Sequence, residues 1–192
     1  QYYMYYGGWG HCNMVKMAPD LLSIVPFEDG TIYKEVTPQN YVEGPFMLKH
    51  NGKYYFQYGA PGTEFKVYAD GVYVSDSPLG PFTYQQHNPM SYKPGGFVQG
   101  VGHSGTFQDL KGNYWHVGTC MLSLKYKFER RIGLYPTAFD PDGVMYSTTA
   151  FGDYPCWNAD YDIKNPFDRF TGWMLLSYEK PVKVSSTDSI YS

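Results

Sequence analysis

Apolar and aromatic positions are concentrated in short stretches of the chain, and clusters of polar turn residues separate them. Three stretches share one pattern, an aromatic segment that ends in glycine: QYYMYYGG at 1–8, NGKYYFQYGAPG at 51–62 and KGNYWHVGT at 111–119. Aromatic residues between turn signals are typical of β-strands, and Asn51-Gly52 is a dipeptide that favours a hairpin turn. No window has the period of a long amphipathic helix. The pattern predicts an all-β fold.

The spacing of the three stretches indicates a repeat. Tyr55 follows Tyr3 by 52 residues, and Trp115 follows Tyr55 by 60 residues. These intervals fit one four-stranded propeller blade per repeat, whereas a β-sandwich has closely spaced strands without a longer repeat. Because a propeller needs at least about four blades to close a ring, the three repeats predict further blades outside this sequence, most simply before Gln1.

Composition favours a neutral partner. The chain has 192 residues and a mass of 22.0 kDa, which suits one domain or part of one. Charged residues make up 17% and the net charge is −3, without a basic run, so a surface that follows nucleic-acid phosphates is not indicated. Aromatic residues reach 19%, including 21 Tyr. Tyr has an apolar face and a polar edge, which suits strand packing and sugar contact alike.

The cysteines give no sign of a disulfide framework or a zinc site. Cys12, Cys120 and Cys156 are odd in number, widely spaced and without a C-x-x-C pair. We expect them to be buried as small apolar residues. No apolar run approaches the length of about 18 residues that a transmembrane helix needs, so none is predicted.

A single carboxylate, Glu43, stands directly before Gly44 and Pro45 at the start of an aromatic strand. The two following residues fix the backbone, so the carboxylate is expected to project past the edge of the sheet. Its sequence neighbours are aromatic, and an apolar surround raises the pKa of a carboxyl group, as a general acid for a glycosidic oxygen requires. These neighbours are Tyr41, Phe46, Tyr54 and Tyr55. A solvated loop glutamate is the alternative.

Several segments resemble glycoside hydrolase family 43, whose members are five-bladed β-propeller enzymes acting on arabinose- and xylose-containing glycans. YVEGPFMLKHNGKYYFQYG at 41–59 and VYVSDSPLGPF at 72–82 are similar to the family's E-G/A-P signature and the strands that follow it. VGHSGTF at 101–107 resembles its glycine-rich histidine turn, and FERRIGLYP at 128–136 its arginine strand. The resemblance extends over about residues 1–180, and it implies a five-bladed propeller of which this chain covers about three blades.

The resemblance implies an inverting hydrolase that uses a base, an acid and a third carboxylate that tunes the acid. Glu43 matches the acid. The base and the tuning aspartate belong to family segments that would precede Gln1, so the chain alone is expected to be inactive. Asp20 is no substitute, because it looks like a turn residue before a short apolar run. An oligo- or polysaccharide substrate and a secreted or periplasmic location are the corresponding expectations.

His103 lies between glycines that let the backbone bend. The resemblance implies that its imidazole sits on the propeller axis, as a direct or water-mediated ligand of a central cation, calcium, or as a contact to the sugar. The alternative is a core histidine that forms hydrogen bonds through both ring nitrogens. His50, His87 and His116 have no partner spacing and are expected to be structural.

Three further residues are candidates for substrate binding. Arg130 matches the family's arginine that reaches substrate hydroxyls, with an ion pair as the alternative, while Glu129 and Arg131 are expected to pair on the other face of the strand. Trp9 and His11 lie in the glycine-rich segment GGWGHC. Trp9 can stack on a sugar or cap the blade, and His11 can bind hydroxyl groups.

The end of the chain changes character near residue 180. An apolar segment at 173–178 leads through Pro181 into a Ser/Thr-rich tail, which predicts a propeller part at 1–180 and a separate segment at 181–192. That segment is interpreted as a plain polar linker or as the start of a discoidin-type carbohydrate-binding module. The second interpretation depends on KPVKVSS, which resembles the entry strand of such a module. Two other functions stay open for the propeller: a non-catalytic carbohydrate-binding propeller, and a structural propeller for protein partners.

Overall fold

The computed structural model describes residues 1–122, 126 and 128–149, and these residues form three antiparallel β-sheets without a helix. The first sheet contains β1 (Tyr2–Gly8), β2 (His11–Met17), β3 (Ile24–Val25) and β4 (Tyr33–Glu35). The second contains β5 (Glu43–His50), β6 (Lys53–Ala60), β7 (Ala69–Ser75), β8 (Thr83–Tyr84) and β9 (Ser91–Tyr92). The third contains β10 (Val98–Gln108), β11 (Tyr114–Leu122), β12 (Arg130–Phe139) and β13 (Met145–Ser147).

The three sheets confirm the three predicted blades. Tyr3, Tyr55 and Trp115 lie in β1, β6 and β11, so the repeat spacing compares equivalent strands. Strands β6 and β11 are the second strands of their sheets. Strand β1 corresponds to β6, because β2, which follows β1, and β7, which follows β6, each pair with two further short strands. In the described part of the chain, the first sheet has no counterpart of β5 and β10.

Two hairpins have two-residue turns in which both residues have positive φ. Asn51 and Gly52 join β5 to β6 with φ of 46° and 80°, as the dipeptide predicted. Trp9 and Gly10 join β1 to β2 with φ of 55° and 81°. This is the type I′ geometry, which matches the twist of the strands but normally selects Asn, Asp or Gly at its first position. Tryptophan is therefore an unusual occupant of the first hairpin turn.

Aromatic clusters join neighbouring sheets. Between the first and second sheets, the ring of Tyr5 meets that of Phe56 edge to face, with centroids 5.9 Å apart, beside the buried residues Cys12, Tyr41, Tyr58 and Tyr73. Between the second and third sheets, the Tyr55 hydroxyl donates to the carbonyl of Gly143 over 2.7 Å, and the buried residues Val72, Met90 and Met145 pack around the Tyr55 ring. The core thus lies at the blade interfaces, where Tyr can combine packing with a hydrogen bond.

The thiols of Cys12 and Cys120 are free and buried, as expected. Cys156, the predicted boundary near residue 180 and the segment 181–192 lie outside the described residues. Within the described part, no helix has the length and apolarity needed to cross a membrane.

Candidate active site

Glu43 begins β5 at a β-bulge. It pairs with Gly59, and regular pairing resumes only at Phe46 with Gln57. Gly44 occupies the bulge with φ of 64°, and a Cβ atom added there would come within 3.1 Å of the imidazole of His103. Glycine therefore supplies both the left-handed backbone conformation and the close approach. The bulge places the Glu43 carboxylate beside His103.

The carboxylate of Glu43 is held by a tyrosine that the sequence analysis missed. The hydroxyl of Tyr68, whose side chain is buried, donates to Oε1 of Glu43 over 2.6 Å. Burial, followed by this hydrogen bond to Glu43, raises the pKa of Tyr68 well above its ordinary value. The hydroxyl consequently remains a donor over the working pH range and fixes one oxygen of Glu43.

The Tyr68 ring reaches Glu43 because two glycines leave room for it. A Cβ atom at Gly59 would lie 2.5 Å from the Tyr68 hydroxyl, and one at Gly102 would lie 2.6 Å from the ring. These glycines come from β6 and β10, so the tyrosine lies between the second and third sheets. Both sheets are needed to form the environment of the acid.

His103 faces the second oxygen of the same carboxylate. Its Nδ1 atom lies 3.7 Å from Oε2 of Glu43, and the two side chains are 52% and 32% exposed. The two side chains therefore lie next to each other. His103 belongs to an irregular segment of β10, where the pairing with β11 shifts twice between Gly100 and Gly105. The contact with Glu43 thus depends on a backbone that departs from regular strand geometry.

The aromatic surround predicted from sequence neighbours is wrong for Tyr54 and Tyr55. Tyr54 pairs with Lys49 near the hairpin turn, at the opposite end of β5 from Glu43, and Tyr55 lies next to it. Tyr41 is correctly placed, since its hydroxyl donates to the carbonyl of Gly7 over 3.1 Å beside the site. Proximity in sequence failed here because a hairpin separates residues at the turn from residues at its open end.

Trp9 lies at the tip of the first hairpin, next to the acid. The amide of Gly10 donates to the carbonyl of Val42, the residue before Glu43, over 3.1 Å. The Trp9 side chain is 96% exposed, so it does not cap the blade within the described part of the chain. An indole at this position offers a free aromatic face at the mouth of the site.

The expectation that His11 lies in the glycine-rich loop is wrong, because His11 is the first residue of β2. Its Nδ1 atom lies 3.0 Å from Oε1 of Glu35, and both side chains are exposed. This hydrogen bond is the main reason that the pKa of Glu35 is lowered, with a smaller contribution from Thr37. His11 is therefore engaged with an acidic partner on the surface of the first sheet.

Arg130 begins β12 and is exposed. Its guanidinium carbon lies 5.9 Å from the centre of the Phe128 ring, and its positive charge acts to lower the pKa of Tyr68 against the larger effects of burial and Glu43. Its charge is therefore within electrostatic range of the Tyr68–Glu43 pair. The expected surface pair is present on the neighbouring residues, with 2.5 Å between Arg131 and Glu129.

A separate cleft lies away from these residues. It has a volume of about 750 Å³ and is lined by the β5–β6 turn, the segment after β7 and the loop after β12, including His50, Asp76, Phe139 and Asp140. The His50 ring is already stacked on Phe139, with centroids 3.8 Å apart. The cleft is at the opposite end of β5 from Glu43, so it is not the site formed by Glu43, Tyr68 and His103.

The described residues do not form a protein cage for calcium. No group of three or more His, Cys, Asp or Glu side chains in this part of the chain is arranged to hold a metal ion. Glu43 and His103 together offer one carboxylate and one imidazole, whereas calcium takes about six to eight oxygen ligands. A calcium ion next to His103 would need most of its ligands from water or from elsewhere.

Comparison with curated proteins gives partial relatives. The chain is 35% identical over 117 residues to "Beta-D-galactofuranosidase xynD" of Aspergillus niger, covering 60% of this chain and 32% of that protein. It is 43% identical over 76 residues to "Beta-xylosidase" of Xylanibacter ruminicola, covering 40% of this chain and 22% of that protein. The chain thus spans about a third or less of these relatives.

Solved structures share the fold. "Bacteroides ovatus Xyloglucan PUL GH43B" matches with a TM-score of 0.66 at 23% identity, covering 76% of this chain and 30% of that one. "Endo-1,4-beta-xylanase" from Bacteroides thetaiotaomicron matches with a TM-score of 0.60 at 26% identity, covering 72% of this chain and 50% of that one. The sheets described above are accordingly about three blades of a five-bladed β-propeller.

The family model "Glycosyl hydrolases family 43" matches residues 1–145. This range contains the three sheets except for the last two residues of β13, and it includes the Glu43–Tyr68–His103 arrangement and Arg130. The chain belongs to glycosyl hydrolase family 43.

Proposed function

We propose that Glu43 is the general acid of an inverting glycoside hydrolase acting on arabinose- or xylose-containing glycans. Family membership supports a glycoside hydrolase with a carbohydrate substrate. The observation that carries the assignment of the acid is the geometry of one carboxyl group, with Oε1 bonded to Tyr68 and Oε2 facing His103 at a partly exposed position. A carboxyl group held at one oxygen keeps the other available to carry a proton to a leaving oxygen.

The substrate class rests on the names of the relatives. "Beta-xylosidase", "Xylosidase/arabinosidase" and "Arabinoxylan arabinofuranohydrolase" all name pentose substrates, whereas the Aspergillus relative is named for galactofuranose. We choose the pentoses because three relatives name them. Trp9 supports binding of a sugar face beside the acid, His11 and Arg130 are proposed to contact hydroxyl groups, and the enzyme is proposed to be secreted or periplasmic.

The base and the aspartate that tunes the acid are proposed to lie outside residues 1–192. Two aspartates of the chain are poor candidates. Asp20 is exposed, and its Oδ1 atom accepts hydrogen bonds from the amides of Leu22 and Ser23 in a tight turn, which lower its pKa. Asp70 is fully buried. An inverting enzyme needs a base about 6.5 to 9.5 Å from the acid with room for a water molecule, and a buried or turn-bound carboxylate does not meet that requirement.

A calcium ion near His103 remains part of the proposal. If bound, it would supply a positive charge at the propeller centre, and His103, which is half exposed, would contact the ion or its water ligands. The described residues contribute too few ligands to hold the ion by themselves. Direct metal analysis of the purified protein, with a chelated sample as the control, checks this part.

The test of the acid compares two substrates in the full natural protein. Glu43→Gln keeps the shape of the site but cannot donate a proton, so hydrolysis of a substrate with a poor leaving group should fall by about 10²–10⁴-fold. A substrate with an activated phenol leaving group needs little protonation and should lose much less. Equal losses on both substrates contradict the acid and indicate that Glu43 only binds sugar, whereas a parent protein that hydrolyses neither substrate favours the alternative of a non-catalytic carbohydrate-binding propeller.

The missing base is tested with the chain alone. A purified polypeptide of residues 1–192 should hydrolyse neither substrate, because nothing activates water on the far face of the sugar. Clear turnover by this polypeptide contradicts the proposal that the base lies elsewhere.

A further inference from the structure

A cluster of polar side chains is buried between the second and third sheets, close behind the site. Asp70 on β7 and His116 on β11 are both 0% exposed, and Oδ2 of Asp70 lies 3.1 Å from Nε2 of His116. Aspartate is almost never fully buried without a partner, and a buried pair of ionisable groups contributes little to stability compared with apolar residues of similar size. The position of this pair therefore calls for a role other than core packing.

Asp70 is connected to both sides of His103. Its Oδ2 atom accepts a hydrogen bond from the hydroxyl of Ser104. Its backbone amide donates to Oγ of Ser91 over 3.3 Å, and Ser91 in turn donates to the carbonyl of Val101 over 2.8 Å. Asp70 thus holds Ser104, the residue after His103, and Ser91 holds Val101, two residues before His103.

The segment that they hold has a costly backbone conformation. Val101 and His103 have φ of 90° and 49°. A positive φ is uncommon for any residue other than glycine and is a genuine outlier for a β-branched one. Such conformations persist only where the surroundings impose them. The hydrogen bonds at Val101 and Ser104 are the contacts that can impose the positive φ angles of this segment.

The cluster extends from Asp70 across the blade interface. His116 contacts Thr106 through Nδ1 over 3.1 Å, and the Thr106 hydroxyl donates to Oε1 of Gln57 over 2.8 Å. All of these side chains except Ser104 are buried. The connected residues come from five strands, β6, β7, β9, β10 and β11. The cluster therefore fixes β10 to the strands on both of its sides.

We propose that Asp70, together with Ser91, Ser104 and His116, is a positioning unit that holds the segment 101–104 and thereby keeps His103 against Glu43. Asp70 does not touch the substrate in this scheme. Its charge and geometry act through Ser104 on the imidazole, whose Nδ1 atom lies 3.7 Å from the Glu43 carboxylate. The effect on activity rests on the proposed function of Glu43, whereas the effect on His103 does not.

The decisive variant is Asp70→Asn in the full natural protein, because it preserves size while removing the charge and one acceptor. The imidazole resonances of His103, assigned by comparison with His103→Gln, should shift. The kcat should fall by about 10–100-fold with a much smaller change in KM, since a displacement of about 1 Å can cost that much. Asp109→Asn is the matched control: Asp109 also holds a turn next to β10, at the other end of the strand, and should change neither readout.

Two milder variants test the same proposal if Asp70→Asn fails to fold. Ser104→Ala removes only the hydroxyl that contacts Asp70, and should shift the His103 resonances and lower kcat, whereas Ser104→Thr, which retains a hydroxyl, should restore both. Folded Asp70→Asn or Ser104→Ala protein with unchanged His103 resonances overturns the proposal. If Glu43→Gln retains full activity, the proposed function fails, and the His103 resonances still decide whether Asp70 positions this residue.

Discussion

Tyr68 and Glu43 form a hydrogen bond of 2.6 Å between residues that are 25 positions apart in the chain. Tyr68 follows the loop after β6, while Glu43 begins β5, and the bond ties the proposed acid to the buried side of the second sheet. Because burial and Glu43 both raise the pKa of Tyr68, the tyrosine donates this bond at any pH at which the enzyme would work. The orientation of the acid therefore does not depend on the ionisation of its partner.

Tyr68→Phe tests the importance of this orientation. The substitution retains the ring against Gly59 and Gly102 and removes only the hydroxyl. We expect a loss of about tenfold in kcat and a destabilisation of about 1.5–3 kcal/mol, the usual contribution of a hydrogen bond to a charged group. Kinetics and thermal unfolding measure the two effects.

The matched control for this variant is Tyr73→Phe. The Tyr73 hydroxyl donates to the carbonyl of Gln39 over 2.6 Å in the same sheet, away from the carboxylate. The substitution Tyr73→Phe should lower the stability of the protein without lowering kcat. Equal kinetic losses in both variants would mean that Tyr68 matters only for folding.

Trp9→Asn separates binding from folding at the first hairpin. Asparagine suits a turn position with positive φ, whereas tryptophan does not, so the melting temperature should stay the same or rise. Loss of the exposed indole should raise KM by about three- to tenfold, as expected for one lost aromatic stacking contact. A variant with unchanged KM excludes Trp9 from substrate binding, and a lower melting temperature contradicts the turn assignment.

Gly44→Ala should displace His103. Alanine at this position has the cost of a left-handed backbone, about 1–2 kcal/mol, and also a new Cβ atom 3.1 Å from the imidazole. Gly52→Ala is the control, because Gly52 has φ of 80° with nothing within 4 Å of an added Cβ. Unfolding by denaturant should show a greater loss for Gly44→Ala, and only this variant should lower kcat. Equal effects of the two substitutions argue against a tight contact with His103.

Asp109 provides a prediction about pH. Burial acts to raise its pKa, but hydrogen bonds from Trp115, Asn113 and Lys111 outweigh burial and lower it. A carboxyl group with a lowered pKa in the folded state stabilises the protein above its unfolded pKa of about 3.9, and this contribution is lost as the pH falls through the folded pKa. Asp109→Asn should therefore be less stable than the parent at pH 7, with a difference that shrinks in acid. A constant difference across this range contradicts the ionic contribution.

The parts of the fold that depend on local signals could be predicted from sequence. Aromatic segments between turn residues predicted the strands, and Asn51-Gly52 predicted its hairpin. The spacing of Tyr3, Tyr55 and Trp115 predicted the blades. The Trp9-Gly10 turn was not predicted as a two-residue hairpin turn, because tryptophan gives no turn signal. Local chemistry thus predicts a turn only when the turn residues are the preferred ones.

The site could be predicted only where a motif marked it. Glu43 and His103 lie in segments that resemble family motifs, and the structure brings them together. Tyr68 is one of 21 tyrosines, and nothing in its neighbourhood distinguishes it until the fold brings its hydroxyl to the Glu43 carboxylate. Asp70 and His116 are 46 positions apart, and their contact depends on how two blades pack. Contacts between distant segments carry no local signal.

The irregular segment of β10 also has a consequence for the order of folding. His103 is 60 positions from Glu43 in the chain, and the strain at Val101 and His103 is held by residues of the second sheet. Contacts between residues far apart in sequence form late, because the chain must lose loop entropy before it gains them. The hairpin that carries Glu43 can form before the third sheet docks, but His103 can reach the carboxylate only afterwards. The proposed acid therefore acquires its contact with His103 only when the third sheet docks, so completion of the blade interface and completion of the site are one event.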